Sequence, residues 1–197
     1  MPRRCLTFQP DHYYHLYNRG NDRNLIFFER ENYLHFLRLM RRHLIEQTLD
    51  LLAYCLMPNH YHLLVQCKTD DVSGAMQRLS MAYTKAMNRR YQRVGVLFQG
   101  QFQAIAVDSD EYLYHLTRYI HLNPVKAGLV ADPQDWEFSS FLEYAGLRSG
   151  SLPRLDVLQR QFASESEYQR FLKPDLDHLP AMTREFATHL KALMLDE

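Results

Sequence analysis

The sequence predicts an α+β protein built on a ferredoxin-like split βαβ unit, an antiparallel sheet with elements in the order βαββαβ, plus an added tyrosine-bearing helix and a helical C-terminal extension. Three observations predict it. Apolar residues alternate in four short runs, they recur at helical spacing in two longer stretches between those runs, and a Pro-Asn dipeptide separates the second run from the third. In that order the two crossover helices cover one face of the sheet and leave the other open for chemistry.

Residues 12–18 (HYYHLYN) read as the first strand, entering a turn at Arg19-Gly20-Asn21-Asp22. Over residues 30–46, Tyr33, Phe36, Leu37, Met40 and Leu44 share a helical face, with Arg38, Arg41 and Arg42 elsewhere on the cylinder. The runs 49–57 and 60–66 flank Pro58-Asn59 and pair as a hairpin. Met76, Leu79, Tyr83 and Met87 mark a second helix over 73–91, followed by a fourth strand near 97–107. A third helix spans about 109–122; Asp108 or Ser109 caps it, and it stops before Pro124 because a residue preceding proline is pushed out of helical geometry.

Past Trp136-Glu137-Phe138-Ser139-Ser140, the stretch Arg148-Ser149-Gly150-Ser151-Leu152-Pro153 reads as a small-residue linker. The expected division is therefore a catalytic domain over 1–147 and a helical extension over 148–197. In the extension Leu155, Leu158 and Phe162 mark one helix, Ser164 with Glu167 has the form of a capping box, and Phe186, Leu190, Leu193 and Met194 mark a last helix.

Hydrophobic residues make up 46% of the 197 and charged residues 23%, and no apolar run approaches the roughly eighteen residues of a membrane span, so a soluble protein is expected. The N-terminal MPRRCLTFQPDHYY carries charge without an apolar stretch and does not read as a secretory signal, which points to the cytoplasm. Cys5, Cys55 and Cys67 lack CxxC spacing and indicate neither disulfides nor a thiolate metal site. Net charge is zero but unevenly spread: 16 basic against 11 acidic side chains over residues 1–130, and 7 against 12 over 131–197. The first two thirds are mildly basic and the tail acidic.

In Met57-Pro58-Asn59-His60-Tyr61-His62-Leu63-Leu64-Val65, strand alternation sends Tyr61, Leu63 and Val65 to one face and His60 and His62 to the other. Same-face neighbours stand about 6–7 Å apart, within reach of one ion. Taken alone, such a pair is more often two hydrogen-bonded histidines than a metal site. Along the third helix His115, Tyr119 and Asn123 recur every four residues and share a face, while Leu113, Leu116 and Ile120 pack inward. Alone, Tyr119 reads more readily as a half-buried aromatic with its hydroxyl at the rim.

Together, MPNHYHLLV, RYIHLNPVKAGLV and DWEFSS resemble the single-tyrosine HUH (His, hydrophobic, His) transposases, and within them are most similar to the REP-associated tyrosine transposases, linked to repetitive extragenic palindromes. The resemblance runs from about Tyr13 to Gly146. It implies that His60 and His62 are metal ligands, that Asn123 is the third through its amide oxygen, that Tyr119 is the nucleophile, and that the cation is Mg²⁺ or Mn²⁺. It further implies a single-stranded DNA endonuclease and strand transferase that cleaves near REP-type hairpins through a 5′-phosphotyrosine link. His115, one turn before Tyr119, is a candidate proton relay.

Arg78, Lys85 and Arg89, with Arg90 behind them, form a stripe along the second helix that reads either as a path for a phosphate backbone or as an ordinary solvated face. Arg19 and Arg23 could contact the same strand, and exposed tyrosines could stack on unpaired bases. Gln99, Gln101 and Gln103 alternate where relatives often carry a basic residue. A hairpin-binding regulatory protein of the same fold and a metal hydrolase using activated water are the competing readings. Both monomer and dimer are compatible with the resemblance, and the long tail favours a monomer.

Overall fold

Alternating side chains assemble a four-stranded sheet in the order β2-β3-β1-β4, from β1 (Tyr13–Arg19), β2 (Leu49–Leu56), β3 (His60–Cys67) and β4 (Gln103–Val107), every neighbour antiparallel. That is the order a split βαβ unit requires. The structure is a computed structural model and describes residues 6–160 and 164–172. Cys5, Phe162 and the expected last helix at Phe186, Leu190, Leu193 and Met194 lie outside the described residues.

The crossover helices are α1 (Arg30–Met40), prolonged by a π-helical turn over Arg41–Ile45, and α2 (Val72–Arg90). Asn32 begins α1 by accepting from the backbone N–H groups of Phe28 and Glu29 through Oδ1, at 2.9 and 3.2 Å. Both helices pack on the sheet face that carries Tyr61, Leu63 and Val65. Phe27, Phe36, Tyr61 and Tyr83 interlock there, with the Phe36 ring 5.2 Å from Tyr61 and 4.9 Å from Tyr83.

The opposite face is not open. A second core joins Leu52, Ala53, Cys55 and Leu64 of the sheet to Leu113, Leu116, Tyr119 and Ile120 of α3 (Asp110–Lys126), Phe141 and Tyr144 of α4 (Phe141–Tyr144), Leu158 of α5 (Asp156–Gln159), and Tyr168 and Leu172 of α6 (Glu165–Leu172). The expected bare face is filled because the apolar side of α3 and the helices after it need a partner. Ser109 caps α3, its side chain accepting from Tyr112 N, and the Ser164 hydroxyl accepts from Glu167 N at the start of α6.

Two other expectations are corrected. Helix α3 continues through Pro124 to Lys126: the ring removes one donor, but Asn123 O still accepts from Ala127 N at 2.9 Å, so the last turn closes. The segment over 148–153 is no loose linker. Arg148 donates to Ser139 O and Glu137 O, each at 2.7 Å, and pairs with the buried Glu143 at 2.6 Å, while Arg154 N donates to Leu51 O. Trp136 through Ser140 also line the β2 edge, where Leu56 N donates to Phe138 O and Ser140 N to Tyr54 O. No helix among the described residues is long and apolar enough to cross a membrane.

His121 joins these parts. Fully buried, it is hydrogen-bonded through Nδ1 to the Tyr168 hydroxyl of α6 and through Nε2 to Ser140 Oγ at 2.7 Å. Ser140 Oγ accepts from Tyr54 N at 2.8 Å and donates to Tyr54 O, which leaves it to accept from His121 Nε2–H; Nδ1 then accepts from Tyr168. A neutral ring satisfies both contacts, and burial pushes its pKa down to about 3. Because the folded value lies below the unfolded one, the unfolded chain binds the extra proton between pH 6.5 and about 3, and stability falls as pH drops through that window. We expect wild type to lose up to about 1.4 kcal/mol per pH unit from this group below about pH 6.5, and His121→Gln to lack that component. Urea unfolding across about pH 6.5 to 5 checks this; parallel slopes for the two proteins would refute it.

Candidate active site

Strand β3 delivers both histidines to the α3 side of the sheet because Tyr61, Leu63 and Val65 are claimed by the core on the other side. Antiparallel register sets Arg19 opposite His60 and Tyr17 opposite His62, and β4 sets Gln103 opposite Tyr17. His60 is half-buried and His62 only 2% exposed; their ring centroids lie 5.0 Å apart at 77°. His60 Nδ1 is 2.7 Å from Asn59 Oδ1, and His62 Nδ1 is 3.0 Å from Nε2 of the fully buried His15.

Helix α3 brings the Tyr119 ring to 5.4 Å from the His62 ring, edge to face at 76°, within one chain. Lys126 Nζ stands 5.0 Å from the centroid of the same tyrosine. Asn123 is buried one turn beyond Tyr119. A cleft of about 300 Å³ opens at the histidines, lined among others by Tyr17, Arg19, Asn59, Gln99, Gln101 and Gln103. Tyr119 is 3% exposed and does not line this cleft.

A family model described as "Transposase IS200 like" matches residues 8–123, more than half of the chain and every element from β1 to Asn123. The chain belongs to that family. It is 31% identical over 103 residues to a Haemophilus influenzae protein that carries the name REP-associated tyrosine transposase, and 28% identical over 109 residues to the REP-associated tyrosine transposase of Escherichia coli K12. Those alignments take in 47% and 52% of this chain but 58% and 63% of the relatives, so the chain spans less than two thirds of either relative's length. A solved structure of a REP-associated tyrosine transposase bound to a REP hairpin superposes with a TM-score of 0.61 at 21% identity, covering 79% of this chain and 94% of that one, a likeness of fold.

Of the residues singled out in this IS200-like sequence, His60, His62 and Tyr119 are gathered into one place, with Arg19 in the wall of their cleft. Arg19 Nε donates to Gln99 Oε1 there. Arg23 sits in the 3-10 turn Asn21–Arg23 next to the hairpin turn, tied by Gly20 N donating to Asn59 O at 2.7 Å. Gly20 has to be glycine, since a Cβ would meet Asn24 O at 1.9 Å. His115 is 91% buried, its Nε2 3.9 Å from Glu111 and its ring 6.5 Å from Phe171 of α6; burial lowers its pKa.

The basic stripe is not brought to this cleft. Helix α2 packs on the other face of the sheet, so its charges point away: Lys85, Arg89 and Arg90 border a groove between α1 and α2 with Glu31, His35 and Arg38. Arg78 pairs with Asp71 at 3.0 Å and Arg90 with Glu29 at 2.6 Å. The three glutamines do line the cleft, but only Gln103 belongs to β4. Gly100, at φ 122°, bends Gln99 and Gln101 out of the strand.

The donor set suits a divalent cation. The Nε2 atoms of His60 and His62 and Oδ1 of Asn123 are all buried, and two imidazoles with an amide oxygen are ordinary ligands for such ions. Among the described residues no group of three His, Cys, Asp or Glu side chains could hold a metal, so an ion on His60 and His62 would complete its shell from an amide, water or phosphate. His15, Asn59 and Lys126 were missed as site residues. His15 carried a signal, since alternation through 12–18 places it with Tyr13, Tyr17 and Arg19, but only the pairing of β1 with β3 shows that it meets His62.

Proposed function

We propose that the protein is a cytoplasmic single-stranded DNA endonuclease and strand transferase, with the catalytic unit over residues 1–147 and the helices of 148–197 as its extension. The observation that carries this reading is the apposition of Tyr119 to His62, beside His60, inside one chain. A buried tyrosine edge-on to a buried strand histidine is a poor arrangement for stability alone, since it keeps from water an imidazole that would otherwise be hydrated.

His60 and His62, with Asn123 as third ligand, would hold Mg²⁺ or Mn²⁺, which when bound polarises a non-bridging phosphate oxygen and orients the diester. Tyr119 Oη forms a bond to phosphorus, the bond to the 3′ oxygen breaks, and the product is a 5′-phosphotyrosine with a free 3′-hydroxyl that takes up the proton. A second 3′-hydroxyl reverses the step on another strand, so rejoining needs no nucleotide cofactor. The tyrosine hydroxyl, ordinarily near pKa 10, needs its proton drawn off. His115, kept neutral by burial, is the candidate acceptor. Because Tyr119 is 3% exposed, attack also requires its side chain to turn into the cleft. The Arg19 guanidinium in the cleft wall suits a backbone phosphate, and the named relatives and the hairpin-bound neighbour support a REP-like hairpin with a single-stranded flank as the partner.

With labelled hairpin oligonucleotides, we expect wild type to cleave in Mg²⁺ or Mn²⁺ and not in chelator. Tyr119→Phe should lose at least about a thousandfold in rate while still binding the hairpin, as expected for removal of a nucleophile. Cleavage surviving in that variant on denaturing gels would hand the nucleophile's role to water or another tyrosine. Arg19→Ala should slow cleavage of a short single strand at least about tenfold, whereas Lys85→Ala with Arg89→Ala should leave it unchanged and lower only affinity for long hairpins, with a shallower salt dependence. Equal losses on the short strand would contradict the placement of the cleft.

A further inference from the structure

We infer that His15 and Asn59 are positioning residues that set matched tautomers on His62 and His60, each protonated at Nδ1 and each presenting the Nε2 lone pair to one cation. The inference rests on reading His60 and His62 as metal ligands. A neutral imidazole has one donor and one acceptor nitrogen, and the hydrogen bond made by one nitrogen decides which role is left to the other. A ligating histidine therefore needs a partner for its second nitrogen as much as it needs the metal.

For His60 the partner is Asn59 Oδ1, at 2.7 Å. An amide oxygen has no proton, so His60 Nδ1 must donate and Nε2 keeps the lone pair. The orientation of that amide is set from its other end, where Asn59 Nδ2 faces Arg23 O at 3.5 Å, and the turn is pinned by Gly20 N on Asn59 O at 2.7 Å and Met57 N on His60 O at 2.9 Å. For His62 the partner is His15 Nε2, at 3.0 Å. One proton lies between the rings, and only when His62 donates it does His62 Nε2 remain able to ligate; His15 then accepts at Nε2 and carries its own proton at Nδ1.

The fold fixes where the His15 ring lies. It is fully buried at the middle of β1, between β3 and β4, diagonal to His62 on the same face, with its ring stacked 5.1 Å from His62 at 28° and 5.0 Å from Tyr17. A reversed His62 would carry a hydrogen on Nε2 and offer the cation no lone pair. Two residues outside the HxH pair thus do for these histidines what carboxylates do at many metal sites.

The test has two readouts. In metal-free protein carrying ¹⁵N-labelled histidine, two-bond ¹H–¹⁵N correlations report each tautomer; Mn²⁺ titration followed by electron paramagnetic resonance reports affinity. Wild type should show Nδ1–H on both His60 and His62. His15→Leu should unfix the His62 tautomer and weaken Mn²⁺ binding about 10- to 100-fold, while His15→Gln, whose amide oxygen accepts the same proton, should keep most of it. Asn59→Leu should do the same to His60 and Asn59→Asp should not; this half-buried turn position tests the claim where folding is not at stake. Nε2–H tautomers in wild type, or leucine variants that change neither readout, would overturn the inference. Wild type that shows the expected tautomers but binds no Mn²⁺ would sink the metal reading instead and leave the two hydrogen bonds assigned.

Discussion

Strand β3 lies between β1 and β2, so its register is held from both sides, and everything at the site follows from that register. Its even and odd residues have opposite fates. Tyr61, Leu63 and Val65 are fully buried against α1 and α2, each contributing roughly 1.5–3 kcal/mol by leaving water. A slip by one residue would exchange all three for His60, His62 and Leu64, a loss no local change could offset. The position of two imidazoles is thus fixed by apolar packing on the face they do not occupy. The same register puts Arg19 and Tyr17 opposite them and His15 within hydrogen-bonding distance of one.

The tyrosine depends on a different set of contacts. Leu113, Leu116 and Ile120 seat α3 on the sheet, and His121, two residues past Tyr119, ties the helix to Ser140 on one side and to Tyr168 on the other. Ser140 belongs to the strip that pairs with the β2 edge, and Arg148 and Glu143 fasten the chain that follows it. Much of what holds Tyr119 therefore lies beyond residue 123, where the family match ends. The distance between tyrosine and histidines is thus set in part by chain that lies past that match.

The periodic elements were legible in the sequence because both sheet faces and both crossover helices bury one apolar side: β1, β2, β3, the hairpin at Pro58-Asn59 and α2 begin and end within two residues of expectation, α1 does so only with its π-helical turn counted, and β4 starts six residues later than expected. What failed was decided by partners distant in sequence. Proline at 124 predicted a stop, but the closing turn lost only one donor. His121, assigned no role from sequence, makes two hydrogen bonds to residues 19 and 47 positions away. The stripe of Arg78, Lys85, Arg89 and Arg90 was legible as one side of α2, as a phosphate path or a solvated face, but which sheet face α2 covers cannot be taken from α2 itself. His60, His62 and Tyr119 were singled out by motif, spacing and family resemblance, whereas the contact of His15 with His62 required knowing which strand lies beside β3.

The most direct measurement is to incubate the protein with a hairpin oligonucleotide and Mn²⁺, trap the product under denaturing conditions, digest it, and locate the attached nucleotide by mass spectrometry. The account predicts a phosphodiester-linked nucleotide on the peptide containing Tyr119, attached through its 5′ phosphate, with the other product ending in a 3′-hydroxyl. Cleaved DNA with no protein attached, or a nucleotide on another tyrosine, would contradict it.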